Sequence, residues 1–415
     1  MALILFAALN LAIIFLAIAA PLGTRHFTLS KVIRAPRARL WDAMHPFGTQ
    51  AGWSGQIVAA APDAGGETGE ISLSWVGRDN QPIRRRIVVE TLTPGLAFRE
   101  RVVEDSSLDA SFWAHWQGLV RFTELPDGAV RVTVTRTDRY RGAAFLVFRW
   151  FAARRELAKL KTWAETGVHR PGGLFEHPLT QCAMAGLSAL ILWPVFGLTG
   201  TGFLLALALT LAITFHELGH IAAFRLMGHR SARMIFIPLL GGIAIGGRPY
   251  DSRHEIAFVA LMGAGFSALL VPVAILGHDL AGTAGHGSLA AFLGAFAACA
   301  AFFNLANLVP VWKFDGGQVL RQITPETGPA RMVASMTVLL AVSGFGWLGG
   351  LPVEALLTGC AVMALLSMIT ANTGVKPRAA MKPITGRQTA LIACGFAAAI
   401  AVHGSGVVWA MQVFF

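Results

Sequence analysis

Long apolar runs separated by short polar breaks fill most of this chain, and one broad hydrophilic stretch interrupts them. Runs near the roughly 20 residues that a bilayer-crossing helix needs fall at 2–20, 179–197, 202–226, 254–277, 288–311, 330–348, 354–371 and 388–411. They predict a multi-pass α-helical membrane protein of about eight spans. The hydrophilic stretch, 24–175, keeps a different period. Polar and apolar residues alternate through Phe27–Arg34, Glu70–Val76, Arg84–Glu90, Ala97–Val103, Gly118–Leu125 and Ala129–Asp138, the repeat of half-buried strands. Pro126-Asp127-Gly128 is a turn signal between the last two. From Ala143 to Glu165 the apolar residues recur at helical spacing instead. The expected organisation is an N-terminal anchor over 1–23, an inserted α+β soluble domain over 24–175 and a membrane domain over 176–415. Within the last, Leu239-Leu240-Gly241-Gly242-Ile243-Ala244-Ile245-Gly246-Gly247 is too short and too broken to span, and reads as a re-entrant or interfacial loop.

Composition agrees with that frame. Of 415 residues, 54% are hydrophobic and 14% charged, against about 25% charged in soluble proteins. The net charge of +11 reads as topology rather than as affinity for nucleic acid, and no nucleic-acid partner is expected. Beyond residue 200, Lys and Arg stand at 225, 230, 233, 248, 253, 313, 321, 331, 376, 378, 382 and 387. With alternating spans all of these face one side, together with 24–175, and the loops 197–202, 278–287 and 349–353 on the other side carry none. The positive-inside rule makes the rich side cytoplasmic and points both termini outward. The first apolar run has no basic residue before it, and Pro21 follows Ala19-Ala20, so it reads as a retained anchor rather than a cleaved signal. Cys182, Cys299, Cys360 and Cys394 lie in or beside apolar runs and imply no disulfide framework.

One apolar run contains chemistry. His216-Glu217-Leu218-Gly219-His220 follows the uninterrupted apolar stretch from Phe203 to Phe215. Residues four apart on a helix share a face, so His216 and His220 can share one zinc ion while Glu217 handles a proton. Ionisable residues at membrane depth are costly and mark function. Catalytic zinc commonly takes three protein ligands and a water. The acids after His220 are Asp251, Glu255, Asp279, Asp315, Glu326 and Glu354. Asp251 and Glu255 stand beside arginines in a loop and read as solvated charges, Glu326 lies in a polar loop, and Asp279 and Glu354 fall at the far ends of their spans. Asp315 ends an apolar run on the same side as the motif, behind Pro310 and ahead of Gly316-Gly317, which permit a tight turn. His229, His254, His278 and His286 lie in loops or at span ends, and His403 inside the last run is expected to bond a neighbouring carbonyl.

HExxH followed by Asn307, Pro310, Asp315 and Gly316 at these spacings resembles the site-2 protease family of intramembrane zinc metalloproteases, over roughly 175–320. The resemblance implies a catalytic core at about 200–320, one zinc held by His216, His220 and Asp315, Glu217 as general base and Asn307 as a stabiliser of the reacting carbonyl. It implies that Gly241, Gly242 and Gly246 belong to a membrane-associated loop guiding substrate. It further implies a membrane-spanning or membrane-tethered protein as substrate, in a bacterial inner (cell) membrane. Departures occur at Gly265-Phe266, at Leu269 and at Phe314, where the family commonly has Gly-Pro, Asn and Leu.

The soluble stretch resembles the START-like (polyketide cyclase) superfamily and its helix-grip fold. Val32-Ile33-Arg34-Ala35-Pro36 leading into Leu40-Trp41-Asp42, the later Trp53, and the closing Leu157-Ala158-Lys159-Leu160-Lys161-Thr162-Trp163-Ala164-Glu165 carry the likeness. It implies a cavity for a lipid or other hydrophobic ligand and a regulatory role. Two competing functions remain: a non-proteolytic lipid-binding or lipid-handling membrane protein, and a membrane peptidase of the prenyl-protein type. The latter takes a late span-embedded Glu as third ligand, which this sequence lacks.

Overall fold

The alternating segments of the hydrophilic stretch form a seven-stranded antiparallel sheet. The computed structural model describes residues 2–168, 177–237, 241–325, 328–370 and 378–414. It separates into two units, of which the first holds Met1–Gly173 and Ile369–Ala380. Helix α1 (Ala2–Ile18) leads into β1 (Pro21–Ile33), then α2 (Arg37–Met44), β2 (Ile57–Pro62), β3 (Thr68–Val76), β4 (Pro82–Thr93), β5 (Ala97–Asp105), β6 (Gln117–Glu124), β7 (Val130–Arg141) and α3 (Ala143–Thr166). The strand order is β1-β7-β6-β5-β4-β3-β2, so β1 pairs with the last strand and the others run as a meander. Inward positions of the alternation, among them Ile71, Leu73, Ile87, Val89, Phe98, Val120, Phe122 and Val132, are buried with Leu40 of α2. Leu157, Leu160 and Ala164 join them from α3, spaced three and four apart on one helix face. A sheet closed by a long C-terminal helix is the arrangement expected of a helix-grip domain. Six of the strands were legible as alternation. β2 was not, because five of its six residues are exposed at the sheet edge and no buried face imprints a pattern.

A charged cluster reaches this interior. Arg136 Nη1 lies 2.5 Å from Glu100 Oε1. It crosses above Gly118, where a Cβ would sit 2.0 Å from that nitrogen. Glu156, half-buried on α3, faces the same pair, and burial pushes its carboxyl pKa above the usual range against the pull of Arg136.

The second unit, Leu174–Met368 with Met381–Phe415, is helical. It contains α4 (Pro178–Leu192), α5 (Gly200–Leu226), a hairpin of β8 (Arg233–Ile237) and β9 (Gly241–Ile245), α6 (Arg253–Thr283), α7 (Gly287–Asn307), α8 (Asp315–Ile323), α9 (Gly328–Leu348), α10 (Val353–Thr370) and α11 (Gly386–Phe414). Among the described residues, six helices are long and apolar enough to cross a membrane. The expected count of about eight is not confirmed: α1 has 17 residues, and Val353–Ile369 is likewise a shorter apolar helix. Helices α5, α6, α7 and α11 meet around small residues such as Ala208, Ala212, Ala257, Ala264, Ala297 and Ala301, which let backbones approach closely in lipid. A Cβ on Gly219 of α5 would lie 2.1 Å from the Met262 carbonyl of α6.

The Gly-rich stretch has regular structure. It is more regular than a loop and supplies β9, paired with β8 from Arg233↔Ile245 to Ile237↔Gly241. The ladder satisfies backbone groups that an open loop would leave unpaired. Leu239 and Leu240 lie outside the described residues, as do Glu326 and residues 169–176 and 371–377.

Candidate metal centre

Helix α5 presents His216 and His220 on its buried face, 3% and 9% exposed, with their Nε2 atoms 3.1 Å apart. Asp315 opens α8 and brings its Oδ2 to 3.0 Å from His216 Nε2 and 3.4 Å from His220 Nε2. Zinc–nitrogen bonds of about 2.0–2.1 Å in tetrahedral geometry separate ligand atoms by about 3.3 Å. The triangle therefore has the edge lengths of a zinc ligand set. Asp315 Oδ2 is buried and has no hydrogen-bond partner of its own, an orphan that a cation at the centre of the triangle would satisfy. The turn into α8 depends on glycine, since a Cβ on Gly316 or Gly317 would lie 1.9 Å from the Leu308 or Val311 carbonyl.

The far side of each imidazole is also fixed. His216 Nδ1 is 2.7 Å from Asn304 Oδ1. The Asn304 amide nitrogen donates to the Ala300 carbonyl at 2.8 Å, which turns its oxygen toward the ring. His220 Nδ1 donates to the Val259 carbonyl at 2.7 Å. With both Nδ1 atoms acting as donors, both Nε2 lone pairs face the shared point. Gly263 of α6 closes the wall: a Cβ there would lie 2.6 Å from Cε1 of each histidine. Donor chemistry, tautomers and spacing all fit zinc.

Glu217 is 8% exposed. Its ligand atom falls within 4.8 Å of those of His216 and His220. Asp315 is nearer to both rings, which leaves Glu217 beside the triangle. It faces the hairpin, and a Cβ on Gly242 would lie 2.4 Å from Glu217 Cγ. Of the three glycines expected at a substrate loop, Gly242 is thus at the site. Gly241, at φ +93, needs to be glycine for its backbone and lies beside Ile213. Gly246 instead faces His229, 2.6 Å from its Nδ1 were it to carry a Cβ. Asn307, expected to stabilise the reacting carbonyl, donates its amide nitrogen to the Phe303 carbonyl at 3.0 Å. The amide beside His216 is that of Asn304. The signal for it was a second amide in the same apolar run, three residues earlier.

Glu255 is not the solvated charge expected of it. It is 3% exposed, and its Oε1 accepts from His229 Nε2 at 2.7 Å and Arg248 Nη2 at 2.8 Å. Arg248 also donates to the Met227 carbonyl at 3.0 Å, tying the end of α5 to the start of α6. Asp251 pairs with Lys382 at 2.7 Å. His403 bonds the Ala264 carbonyl at 2.9 Å, as expected of a span-embedded histidine.

No family model and no curated protein matches the chain. Three solved structures are similar to part of it. A START superfamily protein from Mycobacterium smegmatis is 11% identical, covering 33% of this chain and 93% of its own, with TM-score 0.25. The Aha1 dimer from Colwellia psychrerythraea is 13% identical, with 34% and 98% covered and TM-score 0.27. XoxI from Bacillus cereus is 12% identical, with 34% and 94% covered and TM-score 0.26.

Proposed function

We propose that this chain is an intramembrane zinc metalloendopeptidase of the site-2 protease type, a multi-pass integral protein of a bacterial inner (cell) membrane. Its substrate is a membrane-spanning or membrane-tethered protein, and its START-like domain lies on the cytoplasmic side and regulates cleavage, with a lipid or hydrophobic molecule as ligand. The observation that carries this reading is the convergence of His216, His220 and Asp315 on one point beside Glu217, in an apolar helical unit.

Bound there, zinc would acidify a water molecule and polarise the scissile carbonyl. Asn304 and Val259 hold the two imidazoles in the liganding tautomer. Glu217 takes up a proton at its carboxylate during attack and returns it to the leaving amine. Gly242 carries no side chain, so β9 approaches Glu217 closely. A locally unwound substrate laid along that strand has its backbone groups satisfied by strand pairing next to the proton carrier.

The test uses the purified full chain. Metal analysis should find about one zinc per chain, lost in His216→Ala, His220→Ala and Asp315→Ala. Glu217→Gln should keep zinc and fold yet abolish cleavage across a panel of single-span membrane proteins. Near-normal turnover by Glu217→Gln refutes the mechanism. Zinc bound without cleavage of any panel member favours the non-proteolytic, lipid-handling reading.

A further inference from the structure

The first unit carries an apolar face that its own core leaves unused. The core side of α3 buries Ala153, Leu157, Leu160 and Ala164. The outer side begins with Val147, Phe148 and Phe151, which are 49%, 65% and 57% exposed. Phe151 stands three residues from Phe148 and four from Val147, so both neighbour it on one side of the helix. The helix then turns basic at Arg154, Arg155 and Lys159, with Arg154 folded over the Trp150 ring at 5.3 Å. Clustered exposed aromatics of this kind mark an interaction surface rather than ordinary scatter.

Helix α1 indicates what covers it. Its sequence, ALILFAALNLAIIFLAI, has no charged residue, and Leu9, Ile13 and Leu16 are 60%, 55% and 55% exposed. A helix of that composition that turns leucine and isoleucine outward belongs in lipid. α1 packs on α3, and both leave the same end of the sheet, where Pro21 pairs with Arg141. The Gly142 amide donates to the Ala20 carbonyl at 2.8 Å. Gly142 also comes so close to α1 that a Cβ would lie 2.5 Å from the Ala17 carbonyl. The first turns of α3 therefore start beside the last turns of α1, at the level where α1 leaves the bilayer.

We propose that the Val147–Phe148–Phe151 face of α3 inserts into the membrane leaflet alongside α1, with Arg154, Arg155 and Lys159 at the phosphate level. The occupant of this surface is the lipid bilayer, with a preference for anionic headgroups. Apolar leading turns and basic trailing turns follow the order that an obliquely entering interfacial helix requires. The surface belongs to the first unit alone and does not depend on the reading of the metal centre.

The experiment uses the full chain in phosphatidylcholine–phosphatidylglycerol vesicles, with the four native cysteines replaced by alanine. Single-cysteine variants Phe148→Cys, Phe151→Cys and Val58→Cys carry an environment-sensitive fluorophore, Val58 being 57% exposed on the edge strand β2. At 148 and 151, nitroxide-bearing lipids should quench several-fold more strongly than at 58, and aqueous iodide several-fold less. Iodide quenching at 148 and 151 equal to that at 58 overturns the proposal. Shielding from both quenchers overturns it too, since it reports a protein partner. Val147→Cys replaces either aromatic variant that fails to fold.

Discussion

Replacing Asn304 by leucine separates the hydrogen bond to His216 from the helix packing that surrounds it. Asn304 is 0% exposed, and its amide bridges the Ala300 carbonyl at 2.8 Å and His216 Nδ1 at 2.7 Å. Leucine keeps the volume and removes the acceptor. His216 Nδ1–H then has no partner from this residue, and the imidazole is free to rotate or to exchange tautomers. Losing such an outer-shell partner costs about 10- to 100-fold in metal affinity, which is about 1.4–2.7 kcal/mol. Asn304→Asp keeps an acceptor in place and should bind zinc at least as tightly as the parent chain. Zinc affinity is read by competition with a chromophoric chelator, on purified protein whose metal-free unfolding temperature confirms the fold. Parental affinity in the leucine variant, or weaker binding in the aspartate variant, would show that the amide does not prepare His216 for the metal.

Gly219→Ala places a Cβ where the Met262 carbonyl now lies 2.1 Å away, so α5 and α6 must part; overpacking of this kind costs about 1–3 kcal/mol. Both the unfolding temperature and the zinc affinity should fall, and no change in either would show that the helices yield freely. Glu156 is the pH probe: burial raises its folded carboxyl pKa, so the stability of the first unit declines as pH rises through that value. Glu156→Gln should therefore stabilise the unit more at about pH 8 than at about pH 5, measured by hydrogen exchange in the sheet, and an equal gain at both would count against it. Replacing 24–175 with an inert linker should leave zinc content intact while changing which substrates are cut or how fast. Unchanged cleavage would reduce that domain to an attachment.

The candidate ligand residues were legible because their chemistry is local. Two histidines four apart share one face of an apolar helix, and Asp315 was the acid whose neighbours Pro310 and Gly316-Gly317 let the chain turn. Asn304 was not legible, because which side of α7 meets His216 depends on how two apolar helices interlock, and neither helix has a polar face to announce it. Glu255 misled for the opposite reason. Neighbouring arginines read as a solvated loop, whereas one of them, Arg248, folds inward to satisfy the carboxylate. In the first unit, buried strands declared themselves by alternation, while β2 and the Pro21–His26 start of β1 did not.

The junction between α1 and β1 has a mechanical consequence. Only Ala19 and Ala20 separate helix from strand, and they are 5% and 8% exposed. The carbonyl of Ala20 is held by the Gly142 amide and that of Ala19 by Arg141 Nε at 3.3 Å. A domain on a slack linker tumbles independently of its anchor. This sheet is tied to α1 through two residues and two hydrogen bonds, so a turn of the helix about its own axis is passed to β1. Helices resettle their tilt when hydrocarbon thickness changes. With α1 seated in lipid as proposed above, its tilt is passed on to the sheet, and lipid composition becomes an input to that domain.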